Sequence, residues 1–523
     1  MTILISGAHV VTGDAAGSVY DPGDILIEGD RIAWVGPASE APATKPASGI
    51  EMIDARRRIA LPGLVNAHMH SNESFEQGAY DNLPLELWLI HSYPPIDGQR
   101  LSEREHYLRT MVCAIESIRS GVTTVQDDLL VVGTEPEALD GAAKAYRDAG
   151  LRAVITVAMW DRPFLDCLPF LRELVPGDLA AELDRAPPPT AAEQVALFER
   201  HYRAWHGTAG RIGIIPAPSG PQRCSDDLLR GAVELSARYD LPVHTHVLET
   251  KTQAVTGQVF YGKTLVEHLD EVGMLTPRFT MNHAIWLTGR DIDLLAERGC
   301  SITHNPLSNL KLGSGVCPVR RLIDAGVNVA LGTDGTATSD TADIIEAIRA
   351  GSLLHKIGTH DTSHWLGAED VFRLATRGGA RSTGLAGEIG AIEAGRKADV
   401  ILLDADAWGF IPLNDPIRQL AFSITSEAVQ TSIIDGRVVM RDRVIATLDE
   451  AAIKAEVAEA AERFRRERLP AMHAGARRVE PYVRQVYERA TATDVPLAGE
   501  PQRRPPGFAR PQRGRAQQEE RKP

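Results

Sequence analysis

The stretch LPGLVNAHMHS, residues 61–71, decides the fold. It opens on a Pro-Gly turn, runs through apolar residues and ends on His68 and His70. A strand sends alternate side chains to opposite faces, so these two imidazoles leave the same face at the strand's end. There both can reach one metal ion. Taken alone the pair says little, since a histidine in a strand is more often structural.

Further apolar segments of strand length follow, with helical stretches such as Glu103–Arg119, Ser225–Tyr239 and Val316–Ala325 among them. The segments are VTTVQDD (122–128), LRAVITVAM (151–159), RIGIIPAPS (211–219), LPVHTHVLE (241–249), FTMNHAIW (279–286), CSITHNP (300–306) and VNVALGTDG (327–335). With the first they make eight strand–helix units, which predicts an α/β chain with a (β/α)8 TIM-type barrel over 61–387. In such a barrel the chemistry collects at the C-terminal ends of the strands.

The flanks are strand-rich. ILISGAHVVTG (3–13), DILIEGDRIAWVG (24–36) and EMIDARRRIALPG (51–63) precede the barrel, with short hairpin-type connections between them. GEIGAIEAGRKADVILLDAD (387–406) and VQTSIIDGRVVMRDRV (429–444) follow it. Neither set has enough strands for a core, so residues 1–60 and 388–447 are expected to complete one split β-sandwich. Beyond it, 448–490 reads as a helical extension: an Ala/Glu/Arg-rich helix to about Leu469, a short linker and a second helix. The stretch 491–523, Pro- and Arg-rich from Pro501, is expected to be a disordered tail.

The 523 residues carry a net charge of -14, with 43% hydrophobic and 24% charged residues, as in an ordinary globular protein. An acidic chain lacks the basic face that nucleic acid requires. The N-terminal MTILISGAHVVTGD reads as a strand and not as a signal peptide, and no apolar run is long enough to span a bilayer. The five cysteines, Cys113, Cys167, Cys224, Cys300 and Cys317, are scattered and imply neither disulfides nor a zinc–cysteine site. A cytoplasmic enzyme acting on a small molecule, homo-oligomeric and without nucleic acid or membrane partners, is the expectation.

Three more clusters fall at predicted strand ends. In VHTHVLET (243–250), His246 ends the fifth strand and Glu249 lies just past it, where a carboxyl group can work beside a metal without ligating it. His244, one layer deeper, reads as a buried, hydrogen-bonded histidine. His283 ends the sixth strand, and Asp334 follows the eighth, where a carboxylate after so apolar a run needs a partner. Trp88 and Tyr93 after strand one, Trp160 after strand three and Arg223 after strand four are candidate substrate contacts. Lys311 in SNLKLGSG reads as loop architecture, with Gly313 and Gly315 permitting tight turns.

The segments LPGLVNAHMHS, HTHVLET, NHAIWLT, HNPLSNLKLGSG and ALGTDG resemble the amidohydrolase superfamily. Within it they are most similar to the cytosine deaminase-like and triazine hydrolase-like branch, which includes phenylurea hydrolase-like members. The resemblance covers about residues 1–445. It implies that His68, His70, His246 and Asp334 are metal ligands, and that Glu249, His283 and Asp334 are catalytic. Binuclear members bridge two metals with a carboxylated lysine on strand four. RIGIIPAPSGP has none, so one divalent metal is expected, zinc foremost, with iron or cobalt as alternatives. The implied activity is hydrolysis of a non-peptide C–N bond by metal-activated water, with deamination of an N-heterocycle as the leading reading. Cleavage of an amide, urea or carbamate is the alternative, and a non-catalytic binding barrel the third. A barrel hydrolase of phosphotriesters or lactones is disfavoured by the same missing lysine.

Overall fold

The computed structural model describes residues 2–42, 49–96, 100–133 and 135–496. Five strands come before the barrel: β1 (Thr2–Val11), β2 (Val19–Glu28), β3 (Arg31–Pro37), β4 (Ile50–Asp54) and β5 (Arg58–Pro62). The barrel strands are β6 (Leu64–His70), β7 (Val122–Leu129), β8 (Arg152–Met159), β9 (Ile212–Pro218), β10 (Val243–Val247), β11 (Phe279–His283), β12 (Ser301–His304), β13 (Asn328–Leu331) and the two-residue β14 (Asp334–Gly335). After the barrel come β15 (Val400–Asp404), β16 (Val429–Ile434), β17 (Arg437–Arg441) and β18 (Val444–Ile445).

All eight expected barrel strands form, and they close into a (β/α)8 barrel. Hydrogen bonding divides it into two parallel arcs, β14-β6-β7-β8-β9 and β10-β11-β12-β13. The chemistry of β9 explains one break. The carbonyl of Pro218 faces β10, where the Thr245 hydroxyl donates to it, so the side of Pro218 that turns to β10 has no N–H to give. The other break is spanned by the chain itself. β13 runs on into β14, which pairs with the first barrel strand through Asp334–Met69 and Gly335–His70. Asn66 Nδ2 also donates to Thr333 Oγ1 at 2.8 Å, across 267 positions of sequence.

Strands from both flanks join in one continuous sheet ordered β18-β17-β16-β15-β5-β1-β2-β3, with β4 on β1. Ile3, Ile5, Ile25, Ile27, Val400, Leu402 and Ile433 fill its core. The segment 51–63 differs from a hairpin. β4 and β5 do not pair with each other, because each runs parallel to a different half of β1. Gly7, at φ +80, and a register shift between Ile5 and Ala8 bend β1 between those halves. Of 387–406, only Val400–Asp404 is strand.

Helix Glu103–Arg119 has the bounds read from sequence, set by a capping box between Ser102 and Glu105. The second helical stretch begins at Asp226 with Ser225 as its cap, and the third shrinks to Val319–Asp324. The C-terminal extension also differs from expectation. No linker follows Leu469: a π-helical turn, Phe464–Arg468, joins Glu450–Arg463 to Leu469–Ala492. Pro470, which lacks an N–H, sits in the first turn beyond it, where a wider register tolerates the missing donor. This C-terminal arm packs Ala476, Val479, Val483 and Val486 against Leu87 and Ile90 of helix Leu85–Ser92 and against Leu165, Leu171 and Val175. It ends two residues past the expected boundary, and from 497 on the expected tail lies outside the described residues. Among the described residues, no helix is long and apolar enough to cross a membrane.

Candidate functional site

The residues singled out from four strand ends converge at the C-terminal mouth of the barrel. His68 and His70 leave one face of β6, His246 comes from β10, His283 ends β11 and Asp334 opens β14. Three bends place them. Leu248 (φ 54), His283 (φ 72) with Ala284 (φ 50), and Asp334 (φ 67) all sit in the left-handed region, which costs a non-glycine residue energy and occurs preferentially at functional sites. Each bend turns the chain out of its strand just where a reactive side chain must face the mouth.

The distances describe one cluster. Asp334 Oδ1 lies 3.3 Å from His68 Nε2 and 3.2 Å from His70 Nε2. His246 Nε2 is 3.3 Å from His70 Nε2. His283 Nε2 is 3.6 Å from Glu249 Oε2 and 3.9 Å from Asp334 Oδ2. The far side of each ring is anchored. His70 Nδ1 donates to the Asp128 carbonyl at 2.6 Å, His246 Nδ1 to the Ser219 carbonyl at 3.0 Å, and His283 Nδ1 to Asn309 Oδ1 at 3.0 Å. A carbonyl can only accept, so Nδ1 carries the proton in His70 and His246, and the inward Nε2 is free to bind. His68 Nδ1 is 2.9 Å from His244 Nε2. His244, held also by Gln126 and Asn282, is thus a buried support, as the sequence suggests.

Electrostatics mark the same point. Burial works to raise the Asp334 carboxyl, yet the imidazoles of His68 and His70 against its Oδ1 outweigh it and hold the group well below the usual carboxylate range. Burial pushes His68 down to about 4 and depresses His246 and His283, so these rings are neutral. His70 is the exception: burial opposes its charge, but Asp334, Glu73 and Asp128 reverse that and hold it well above its usual value. Burial, reinforced by the charges of Asp334 and Glu86, holds Glu249 well above its usual value.

The donor set suits a metal. The Nε2 atoms of His68 and His283 are buried and have no hydrogen-bond partner. Donor atoms of His68, His70 and His246 lie within 4.8 Å of one another, as do those of His68, His283 and Asp334. Imidazole nitrogens with one ionised carboxylate are the ligands zinc takes when it is catalytic.

A cavity of about 1120 Å³ opens above the cluster and reaches His70, His246, Glu249, His283 and Asp334. All four expected substrate contacts line it: Trp88, Tyr93, Trp160 and Arg223. Tyr93 is also committed to architecture, donating its O–H to Glu73 Oε1 at 2.8 Å, and Arg223 lies over the Trp160 ring at 5.6 Å. Lys311 binds the Ala337 carbonyl at 3.2 Å and Asp340, bracing the loop after Asp334.

Sequence reasoning missed several residues. Glu86 lines the cavity with Oε1 accepting from Thr250 Oγ1 at 2.5 Å and Oε2 buried without a partner. Its signal was present, a carboxylate inside the apolar run LPLELWL. Glu73, which burial raises to about 7, packs so close to Gly335 that a Cβ there would collide with it. Phe464 and Met472 of the arm also line the cavity, and no local motif announces them.

The sequence profile of the amidohydrolase family matches residues 59–439. The chain belongs to that family. This amidohydrolase is 36% identical over 464 residues to a 5′-deoxyadenosine deaminase of Methanothermobacter thermautotrophicus, covering 88% of this chain and 98% of that protein. It is 33% identical over 463 residues to a 5-methylthioadenosine/S-adenosylhomocysteine deaminase of Desulforamulus reducens, covering 88% and 99%. Among solved structures it is similar to an adenosine deaminase from Xanthomonas campestris with bound zinc, at 28% identity and a TM-score of 0.78 over 88% of this chain and 98% of that one. It is also similar to a zinc complex of an atrazine chlorohydrolase from Arthrobacter aurescens, at 25% identity and a TM-score of 0.79 over 88% and 100%. The amidohydrolase is therefore a metal-dependent hydrolase of carbon–nitrogen bonds other than peptide bonds.

Proposed function

We propose that this amidohydrolase removes the exocyclic amine of an N-heterocycle as ammonia, with adenine nucleosides altered at the 5′ position as the favoured substrate class. One observation carries the reading: Glu249, whose carboxyl burial pushes up, stands 3.6 Å from His283, beside a ligand-ready cluster at the floor of a cavity. The names of the relatives supply the substrate class.

In this reading His68, His70, His246 and Asp334 hold one divalent ion. When bound, that ion supplies Lewis acidity that makes water a nucleophile near neutral pH. The remaining work falls to side chains. Asn309 takes the Nδ1 proton of His283 as a hydrogen bond, which leaves His283 Nε2 bare and able to accept a proton. Asp334 Oδ2, 3.9 Å from that nitrogen, stays ionised and completes the proton-accepting side. Glu249, whose carboxyl burial shifts toward the protonated form, hands a proton to the departing nitrogen, since an amine leaves poorly unless protonated. Zinc as the ion at one per chain, a homo-oligomeric assembly and a cytoplasmic location belong to the same proposal. Elemental analysis, light scattering and cell fractionation test them.

The decisive assay measures ammonia and aryl amine release from 5′-deoxyadenosine, 5′-methylthioadenosine, aminotriazines, N-aryl ureas and anilides. Ammonia from the purines is expected. Aryl amine from ureas or anilides, with the purines untouched, would overturn the reading in favour of amide or urea cleavage. The cavity favours that second reading to this extent: at about 1120 Å³ it is roomier than the usual range of about 300–1,000 Å³ for small-molecule sites.

A further inference from the structure

The family match ends at residue 439, before the C-terminal arm begins at Glu450. Yet Phe464 and Met472 of the arm line the same cavity as Glu249, His283 and Asp334. The arm is fixed in place. A Cβ on Gly475 would collide with the Ile96 carbonyl, so only glycine lets the helix approach so closely. Arg478 pairs with Glu182 at 2.7 Å, His91 with Glu480 at 3.4 Å, and Lys251 donates to the Thr491 carbonyl at 2.7 Å. Leu469 packs on the cluster of Trp88 and Ala337. These partners belong to the loops and helices that follow the barrel strands. What the arm walls is therefore the part of a substrate that projects beyond the strand ends.

The π-helical turn gives this wall its shape. Phe464 begins the turn and is 3% exposed, with its ring 5.9 Å from Phe75 and 5.6 Å from the Arg109 guanidinium. Turns of this kind inside α-helices recur at functional sites, because one extra residue re-aims the side chains around it. Met472 follows on the next helix, half-buried, unbranched and apolar, and so adaptable to what lies against it. Leu89, Val131, Phe164 and Leu168 add apolar surface to the same cavity.

We infer that the C-terminal arm is the outer wall of the substrate cavity, and that Met472, with Phe464, sets the length of apolar substituent a substrate can carry on its side away from the reacting amine. This rests on the deaminase reading for the identity of the reacting end only. The wall itself selects an alkyl or thioalkyl chain by burial.

Two measurements on the full-length protein, its M472W variant and its M472A variant test the wall. The first is displacement of the neutral dye N-phenyl-1-naphthylamine by straight-chain alcohols, which involves no heterocycle and no turnover. In the parent, affinity should rise about two- to fourfold per added methylene, the upper figure corresponding to about 0.8 kcal/mol for a buried methylene. M472W should halt that rise at a shorter chain, and M472A should extend it to a longer one. The second is the trend in kcat/KM along 5′-S-methyl, S-propyl and S-hexyl thioadenosine, which should shift in the same directions. Dye displacement that splits the three proteins, with no thioadenosine deaminated, sinks the deaminase reading and leaves the wall standing. Absent dye binding, or the same chain-length trend in all three folded proteins, overturns the wall.

Discussion

The two ends of the cavity are built in opposite ways. The inner end is polar and over-determined: each of His68, His70, His246 and His283 has its outer nitrogen held by a named partner. It rests on strand ends and on backbone in the left-handed region. The outer end draws apolar side chains from helix Leu85–Ser92, the segment around Phe164–Leu168 and the C-terminal arm, with Arg162 and Arg172 also lining it. Chemistry requires fixed atoms, so its residues sit on the barrel and their neighbours lock them. Substrate choice requires only shape and apolar area, which loops and an added helix can supply.

The largest expected effect breaks the inner end alone. His246→Ala and Asp334→Ala should each lose the metal and at least about a thousandfold in turnover while the barrel stays folded. Circular dichroism and metal analysis read the two halves of that statement, and a variant that keeps metal and rate is not missing a ligand. Glu249→Gln is next. It keeps the shape but cannot pass a proton, so turnover should fall about 10²–10⁴-fold, roughly 3–5 kcal/mol of barrier, with metal retained. A metal-loaded variant within a few-fold of the parent would remove Glu249 from the reaction.

How far the sequence discloses each end follows from the same contrast. His68 and His70 are legible because strand alternation is local and the pair is close in sequence. The capping box Ser102–Glu105 gives the following helix its start for the same reason. Phe464 and Met472 are illegible because the partners of the arm, Phe75 and Arg109 for Phe464 and Ile96 for Gly475, lie hundreds of positions away, and no period in the arm reveals what it will face. The π-turn, Phe464–Arg468, falls inside the helix expected to about Leu469, and Pro470 is what makes the helical pattern read as ending there. Glu86 falls between these cases: a carboxylate in an apolar run is a visible oddity, but its partner Thr250 is not.

Unseating the arm sharpens the comparison from the other side. Val483→Asp places a charge against Leu87 and Leu171, where burial without a partner costs about 3–5 kcal/mol. The melting temperature should drop by several degrees, and KM for a long-chain substrate should rise several-fold, with metal content held at the parent's value. Loss of metal together with the arm would show that the two ends are one unit.

The smallest effect concerns buried histidines away from the mouth. Burial pushes His201 and His355 down to about 4 from 6.5. Below about pH 6.5 the unfolded chain takes up protons at these positions that the folded chain refuses. Stability is therefore whole above that pH and declines as pH falls toward about 4. Melting curves of the metal-free protein should move to lower temperature across that window, and less so in His201→Gln. A flat profile would mean that these rings are not held neutral.

The pairing of β14 with β6 has a consequence for how the molecule comes into being. Asp334 and Gly335 hydrogen-bond beside Met69 and His70, so the first and last strands of the barrel meet at the reactive cluster. On the ribosome, His68 and His70 emerge long before their carboxylate partner exists. Contacts that span so much sequence carry a heavy loop-closure cost and belong late in folding. The cluster can be complete only once the ring has shut. A nascent or misassembled chain therefore presents stray histidines but no reactive centre.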